Sequence, residues 1–360
     1  MIRLLSYSPT VGLHVVVHPR AAIVGRLAAL TEFVRHSAPL VPLSKHPAWL
    51  KILHAAMGHE PYAVEAVLGQ QTFGFLPLAH VSSWLFGRFL VSLPYLNTNG
   101  VIATSADVQV QLIERAVTLA EELDARHLEL RHETPVEHPD LTGELTSKVH
   151  MRLDLPNTAD ELWKALDPKV RNQVRKGDKQ GFSVEWDGFE LLDEFYTVLS
   201  ENMRDLGTPV FGKALFREIL GTFPNDAELC VVRNGVTPIA AALLLHGWGV
   251  TEVPTAASLK AYNPTCANMM MYWRLLVRSI ERGQTQFDFG RSTTEGATYK
   301  FKKQWGAKPH PAVWQYASKD GEQPGLRPDN PRFERAIRLW QKLPVALTRL
   351  VGPAIVRGIP

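Results

Sequence analysis

The residues best able to do chemistry fall in one run near the end of the chain. Phe287-Asp-Phe-Gly-Arg-Ser292 is followed by Glu295-Gly-Ala-Thr-Tyr-Lys-Phe-Lys-Lys-Gln-Trp-Gly306. A short alternating strand, a glycine turn at its C-terminal end and then a burst of cations and aromatics is how α/β sheets commonly build sites. Lys300, Lys302 and Lys303 could stabilise the oxyanion of an acyl-transfer intermediate or neutralise a phosphate. Tyr299, Phe301 and Trp305 could wall such a site. Asp288 and Glu295 are candidate bases, and pairing of these carboxylates with Arg291 is an equally good structural reading. The stretch also reads as a basic amphipathic helix packed by its aromatics.

Two further groups suit anions. In Lys169–Gly181, a helix would align Arg171, Arg175 and Lys179 at i, i+4 and i+8 on one face, where three cations could grip phosphates of a nucleotide-linked substrate or of RNA. A solvated charged face is the plain alternative. At Asn263-Pro264-Thr265, asparagine reads as an N-cap and proline as the first helical residue. The free N–H groups of such a helix start suit an anion, or simply cap the helix. Metal chemistry is not expected: His14 and His18 lie in a strand-like stretch, and His132, Glu133 and His138 lack a convincing further ligand. With no Gly-x-Ser-x-Gly elbow or Walker loop, direct transfer between bound donor and acceptor fits better than a covalent enzyme intermediate.

One pattern of elements, occurring twice, would position these residues. Ala63–Leu68 and Thr72–Ala79 flank a turn at Gly69, a strand follows near Leu85–Leu93, then a helix over Val108–Leu123 with Asp107 as its cap, then the strand His127–Arg131. The second copy has Leu229–Arg233, the hairpin signal Asn234-Gly235, Val236–His246, a strand Val250–Ser258, a helix over Pro264–Arg282 and the strand Gln286–Phe289. Between them lie a strand near Val149–Leu155 and helices near Ala159–Leu166, Pro168–Gln180, Glu190–Met203 and Lys213–Thr222. Hairpin, strand, helix, strand, twice over, implies duplicated α/β domains.

A length of 360 residues suits two such domains. A net charge of +3 is too mild to announce a nucleic-acid-binding protein. Cys230 and Cys266 have no CxxC neighbour, which argues against a disulfide scaffold and for a reducing cytoplasm. No stretch has the continuous apolar length of a membrane span or a signal peptide.

Phe287–Gly306, the Arg171–Gly181 helix and Ser44-Lys-His-Pro-Ala-Trp49 together resemble the Fem-type (FemAB-like) transferases. They are similar to the subgroup associated with exopolysaccharide and exosortase gene clusters of Gram-negative bacteria. The resemblance runs from about Leu40 to Tyr316. It implies an α/β fold with mixed sheets, made of two tandem acyl-CoA N-acyltransferase-like (GNAT) domains that face each other across a substrate cleft. These domains would be residues 1–145 and 146–316, with 317–360 packing back on the first domain or on a membrane surface. The family's Phe-Lys pair falls on Phe301-Lys302, which makes Lys302 the leading catalytic candidate, with Asp288 and Arg291 beside it. Lys302 is expected to be exposed, serving turnover rather than the fold. Substrate binding would fall to Arg171, Arg175, Lys179, Lys300, Tyr299, Phe301, Trp305, Asn263 and Lys45.

The implied activity is N-acyl or aminoacyl transfer to an amine of a cell-envelope or exopolysaccharide precursor. No cofactor would be tightly bound; the donor would be aminoacyl-tRNA or acyl-CoA. Related acetyltransferases hold coenzyme A with a glycine-containing loop, whereas Lys260–Ala267 has no glycine. The long helical arm of several Fem enzymes also has no counterpart between Glu190 and Glu228. An acyl-CoA-dependent N-acyltransferase and a non-catalytic scaffold of a polysaccharide assembly are the alternatives. The tail Pro331–Pro360 is basic and amphipathic, so a cytoplasmic protein peripheral to the inner membrane is the expected setting.

Overall fold

A computed structural model of the chain describes residues 12–84, 86–318 and 334–359. The strands are β1 His14–Pro19, β2 Glu60–Leu68, β3 Gln71–Ser83, β4 Gly87–Val91, β5 Ile102–Ala103, β6 His127–His132, β7 Gly143–Asp154, β8 Ser183–Asp187, β9 Ala227–Asn234, β10 Thr237–His246, β11 Val250–Ser258, β12 Gln286–Thr293 and β13 Lys308–Ser318. They form one mixed sheet in the order β1-β2-β3-β4-β6-β13-β7-β12-β11-β10-β9-β8, with β5 paired to β3. Both expected repeats are present, as β2-β3-β4-helix-β6 and β9-β10-β11-helix-β12.

The joint between the repeats is β7 with β13. The β13 strand comes last in sequence, yet it lies between β6 of the first half and β7, while β7 pairs on its other side with β12. Position 145/146 therefore falls inside β7. The pairing of β13 is antiparallel on both sides, and Pro309 and Pro311 break the sequence pattern that would otherwise announce a strand.

The helices are α1 Arg20–Arg35, α2 Trp49–Met57, α3 Ala106–Glu122, α4 Ala159–Ala165, α5 Pro168–Asp178, α6 Leu192–Leu206, α7 Lys213–Thr222, α8 Ala267–Glu281, α9 Ala297–Lys303, α10 Glu334–Trp340 and α11 Val345–Val356. Helix α3 buries Val108, Leu112, Ile113, Ala116, Leu119 and Ala120, a stripe at helical spacing that packs on β2 and β3. Its cap is Ser105, whose hydroxyl accepts from Val108 N; Asp107, expected as the cap, lies in the first turn, where its charge favours the dipole. Helix α5 crosses α8 at Gly177, where a Cβ would stand 2.7 Å from Met270 and 2.9 Å from the Cys266 carbonyl. Any side chain there would force the helices apart.

A single apolar cluster contains Leu30, Trp49 and Leu53 from the first half together with Phe195, Phe216 and Leu243 from the second. Separate clusters lie under α3 and around α5 and α8. The two halves thus share a core, which fixes the residues of one against the other. The C-terminal helices touch both halves: α11 packs on α6, Gly352 meets Val210, and Tyr95 Oη donates to the Arg357 carbonyl at 3.0 Å. The sequence placed residues 317–360 on the first domain or a membrane surface; 319–333 and 360 lie outside the described residues, and α11 packs on α6 as well, through buried Thr348, Gly352 and Val356.

Candidate functional site

In the second half, β11 and β12 run parallel but pair only through Val250↔Gln286, Thr251↔Phe287 and Glu252↔Asp288. Beyond that last rung the two strands continue without pairing to each other, and β12 is bulged between Asp288 and Arg291, with Gly290 at φ +76°. The opening holds a cavity of about 60 Å³, lined by Glu252, Asp288 and Gly290 from the second half and by Ser44, Tyr95 and Asn97 from the first.

Glu252 accepts a 2.8 Å hydrogen bond at Oε2 from Ser44 N, and Asn99 Nδ2 donates to the Ser44 carbonyl at 2.6 Å, so a first-half loop aims this carboxylate. Burial raises the Glu252 carboxyl to about 7; the Asp288 charge adds to the rise, while the Ser44 hydrogen bonds and Arg152 oppose it. Asp288 spends one oxygen on Gly290 N at 2.6 Å and the other on Arg152 Nε at 2.9 Å. Arg152 also grips Glu133 through two bonds of 2.8 and 2.7 Å. Burial is the largest influence on Glu133 and would raise it, but the Arg152 hydrogen bonds and charge, together with Lys45 and His150, outweigh it and hold this carboxyl down at about 2. His150, also at this seam, is lowered by burial to about 4 and is therefore neutral near pH 7.

The predicted catalytic residues meet here in part. Arg291 donates through Nε to Asn97 at 3.1 Å and lies 3.6 Å from the centroid of Trp314, an indole also contacted by Arg131 at 4.0 Å. Burial, with Arg131 nearby, lowers the Arg291 guanidinium to about 9. No acid pairs with it among the described residues, so an anion beside it would be welcome. Lys302 overturns the expectation of exposure. It is buried, and its ammonium donates to the carbonyls of Gly290 at 3.0 Å and Arg291 at 2.9 Å. It holds the β12 bulge in shape, and burial lowers it to about 8.

The predicted binding residues divide. Lys300, Phe301 and Trp305 line an open groove of about 670 Å³, together with Asp167 and Lys169 at the start of α5. Tyr299 is buried in the core of the second half rather than forming a wall. Arg175 and Lys179 are exposed and Arg171 half-buried; Arg175 stacks over Trp163 at 5.3 Å, and the three line neither cavity. Asn263 is exposed within a 3-10 turn, Lys260–Thr265, and does not cap α8. That helix begins at Ala267, behind Cys266 in a left-handed conformation at φ +62°, because the tight turn takes up Pro264 and Thr265, the residues expected to form its first turn. Lys45 lies near enough to Glu133 and His132 to bias both, which puts it at the seam.

Sequence reasoning missed Glu252, Glu133 and Arg152 as parts of one site. Glu252 had a usable signal: it is a carboxylate in the middle of Val250-Thr-Glu-Val253, an otherwise strand-forming run. Glu133 and Arg152 had none: Arg152 meets Asp288 through the β7–β12 pairing, and Glu133, just past β6, reaches Arg152 only because β13 joins β6 to β7.

Residues 168–303 match the family model of the acetyltransferase (GNAT) domain. This likeness to a GNAT-type acetyltransferase domain covers the second repeat, from α5 to α9. No curated protein matches its sequence. Among solved structures it is similar to FemX, at 15% identity over 80% of this chain and 95% of that one, with a TM-score of 0.64. It is also similar to the C-terminal domain of a protein named as a lysylphosphatidylglycerol synthetase from Agrobacterium fabrum, at 12% identity over 83% and 94% and a TM-score of 0.55. A tandem GNAT protein from the clavulanic acid biosynthesis pathway matches at 10% identity over 86% and 99%, with a TM-score of 0.54. At these identities the likeness is one of fold, and it agrees with two GNAT-like domains in one chain. Among the described residues no helix is long and apolar enough to cross a membrane, and no cluster of metal-ligating side chains occurs.

Proposed function

We propose that this chain is an N-acyl- or aminoacyltransferase whose reaction centre is the opening between β11 and β12. The observation that carries the reading is Glu252: a carboxyl raised to about 7, at a cavity lined from both halves. In the proposed step, the acceptor amine attacks the acyl carbon of an ester or thioester, and Glu252 takes the proton that the nitrogen must lose. The donor's ester oxygen or thioester sulfur leaves with the bonding pair and takes up the proton that Glu252 has received, which gives the free hydroxyl or thiol and restores the carboxylate. Arg291, one residue past the cavity wall and bonded to Asn97 of that wall, is the cation assigned to the negative charge that develops, while Lys302 keeps the bulge that carries it. Asp288 is a positioning residue, since both of its oxygens are already engaged.

The lysines at the Lys300–Trp305 groove, with the exposed Arg175 and Lys179 and the half-buried Arg171 on α5, suit a phosphate-rich donor. Of the two donors, aminoacyl-tRNA is favoured. The Lys260–Ala267 turn has no glycine, and its Tyr262 and Cys266 N–H groups bond to the carbonyls of Leu259 and Asn263 instead of facing a pyrophosphate. An acceptor of cell-envelope type is supported by the likeness to FemX and to the named lysylphosphatidylglycerol synthetase, whereas an exopolysaccharide acceptor rests on the sequence resemblance alone.

Calorimetry with acetyl- and longer acyl-CoA, alongside charged tRNA, separates the donors. The expected result is tRNA binding that weakens when Arg175 and Lys300 are replaced, without coenzyme A binding. Micromolar coenzyme A binding would reassign the chain to acyl-CoA-dependent transfer. Silence from both would leave a non-catalytic scaffold.

A further inference from the structure

Helix α11 is turned inside out. Its inner side is Thr348, Gly352 and Val356, whereas Leu347, Leu350, Val351 and Ala354, spaced as one helical stripe, face outward. Leu350 is 77% exposed, and in α10 Leu339 is 64% exposed. A scattered exposed leucine needs no explanation, but an apolar stripe along one helix, with a further exposed leucine on the helix before it, does. A third apolar element adjoins it. Trp84, on the β3–β4 turn, is 96% exposed, and Gly358, just past α11, lies against Ser83 and Phe86 on either side of that tip.

Charge selects the occupant. Arg335, Lys342 and Arg357 are exposed and form no ion pair among the described residues. The nearby acids are engaged: Glu334 pairs with Arg338 at 3.5 Å, and Asp205, at the end of α6, with Arg204 at 2.6 Å. An apolar stripe flanked by unpaired cations, with a tryptophan at its end, has the composition of a surface that lies in a lipid interface. We propose that α10, α11 and the Trp84 turn dock this protein on an anionic bilayer, with Leu347, Leu350 and Val351 among the acyl chains and Arg335, Lys342 and Arg357 at lipid phosphates. The proposal is independent of the reaction assigned to Glu252.

The test is flotation of the full chain with vesicles of phosphatidylcholine alone and of phosphatidylcholine with phosphatidylglycerol, with oligomeric state measured by light scattering. Binding is expected on the anionic vesicles, roughly tenfold or more above the neutral ones, and weaker at high salt. Leu350→Asp and Trp84→Asp should each abolish most of it at unchanged melting temperature, because both side chains are exposed in the free protein. Lys342→Ala should weaken it about fivefold. Equal binding to both vesicles, or binding indifferent to Leu350→Asp and Trp84→Asp, would overturn the proposal. A chain that ignores vesicles would overturn it too, and a dimer split by Leu350→Asp would then reassign the face to self-association.

Discussion

The two halves open the same pair of parallel strands and treat the opening in opposite ways. In the first half β4 and β6 pair through Leu90↔Leu128 and Val91↔Glu129; in the second, β11 and β12 end on Glu252↔Asp288. An acid closes the later strand in both, but its partner is a buried valine in one and a carboxylate in the other. After Val91 the first-half chain turns back into its own gap. Ser92 N bonds the Glu129 carbonyl at 2.9 Å, Asn99 N bonds that of Arg131 at 3.0 Å, and the Arg131 guanidinium ties Glu129 to the Leu96 carbonyl. Leu93 and Tyr95 take φ of 59° and 70° to make this turn, a cost of roughly 1–2 kcal/mol each that the Arg131 network offsets. The plug then offers Tyr95 and Asn97 to the other cavity. One opening is filled so that the other has a wall.

The largest expected effect tests which opening reacts. Glu252→Gln should lower kcat by about 10²–10⁴-fold, the usual loss on removing a general base, with little change in melting temperature. Wild-type kcat/KM should rise with pH and be half-maximal near 7, because the base of the free enzyme works only when ionised. Stability should run the other way. Between an unfolded carboxyl near about 4.3 and the folded value of about 7, the folded chain holds the proton that the unfolded chain has lost, so this group's contribution falls as pH rises. Glu252→Gln should flatten both slopes. Full activity in that variant would move the reaction away from the second opening.

The contrast also explains what could be read from sequence. Both repeats were legible because each is built from local signals: the Asn234-Gly235 turn with Gly235 at φ +59°, the α3 stripe, the apolar run of β10. The site was not, because its charges come from β7, β12 and β11, which pair across long separations in sequence, and from first-half segments at Ser44 and Glu133 that no local signal joins to them. The motif around Lys302 places it correctly beside Arg291 but says nothing of its burial. Only the three-dimensional bulge reveals two carbonyls turned toward an ammonium.

Next in size is the plug. Arg131→Met leaves Glu129, 3% exposed, as a buried charge without its partner and frees the Leu96 carbonyl. Breaking such a pair from one side costs about 3–5 kcal/mol, so chemical denaturation should show a loss of that order, whereas Glu252→Gln shows almost none. A small loss would mean that the first opening tolerates being unfilled, and the opposition between the halves would weaken.

Lys302 gives an intermediate effect that separates support from chemistry. Lys302→Met removes two charge-assisted hydrogen bonds and leaves the Gly290 and Arg291 carbonyls unpaired, a loss of about 1.5–3 kcal/mol, eased by no longer burying an ammonium. Turnover should fall less than in Glu252→Gln, and by the same factor for every donor, because the bulge that Lys302 shapes serves all donors alike. A loss of activity with unchanged unfolding would restore Lys302 to the catalytic role read from its motif.

The smallest effect concerns the cationic face of α5. Arg175 is exposed, and its neighbours are Trp163 and Asn172, with no acid paired to it among the described residues. Arg175→Ala should therefore change stability by less than about 0.5 kcal/mol. If this face draws a phosphate-rich donor toward the second half, the donor's KM should rise severalfold while kcat holds, and KM should respond less steeply to salt than in the wild type. An unchanged KM and salt slope would make α5 a solvated helix face and confine recognition to the lysine-rimmed groove beside it. The open half would then hold its donor by the same short segment whose Lys302 keeps the reaction centre in shape.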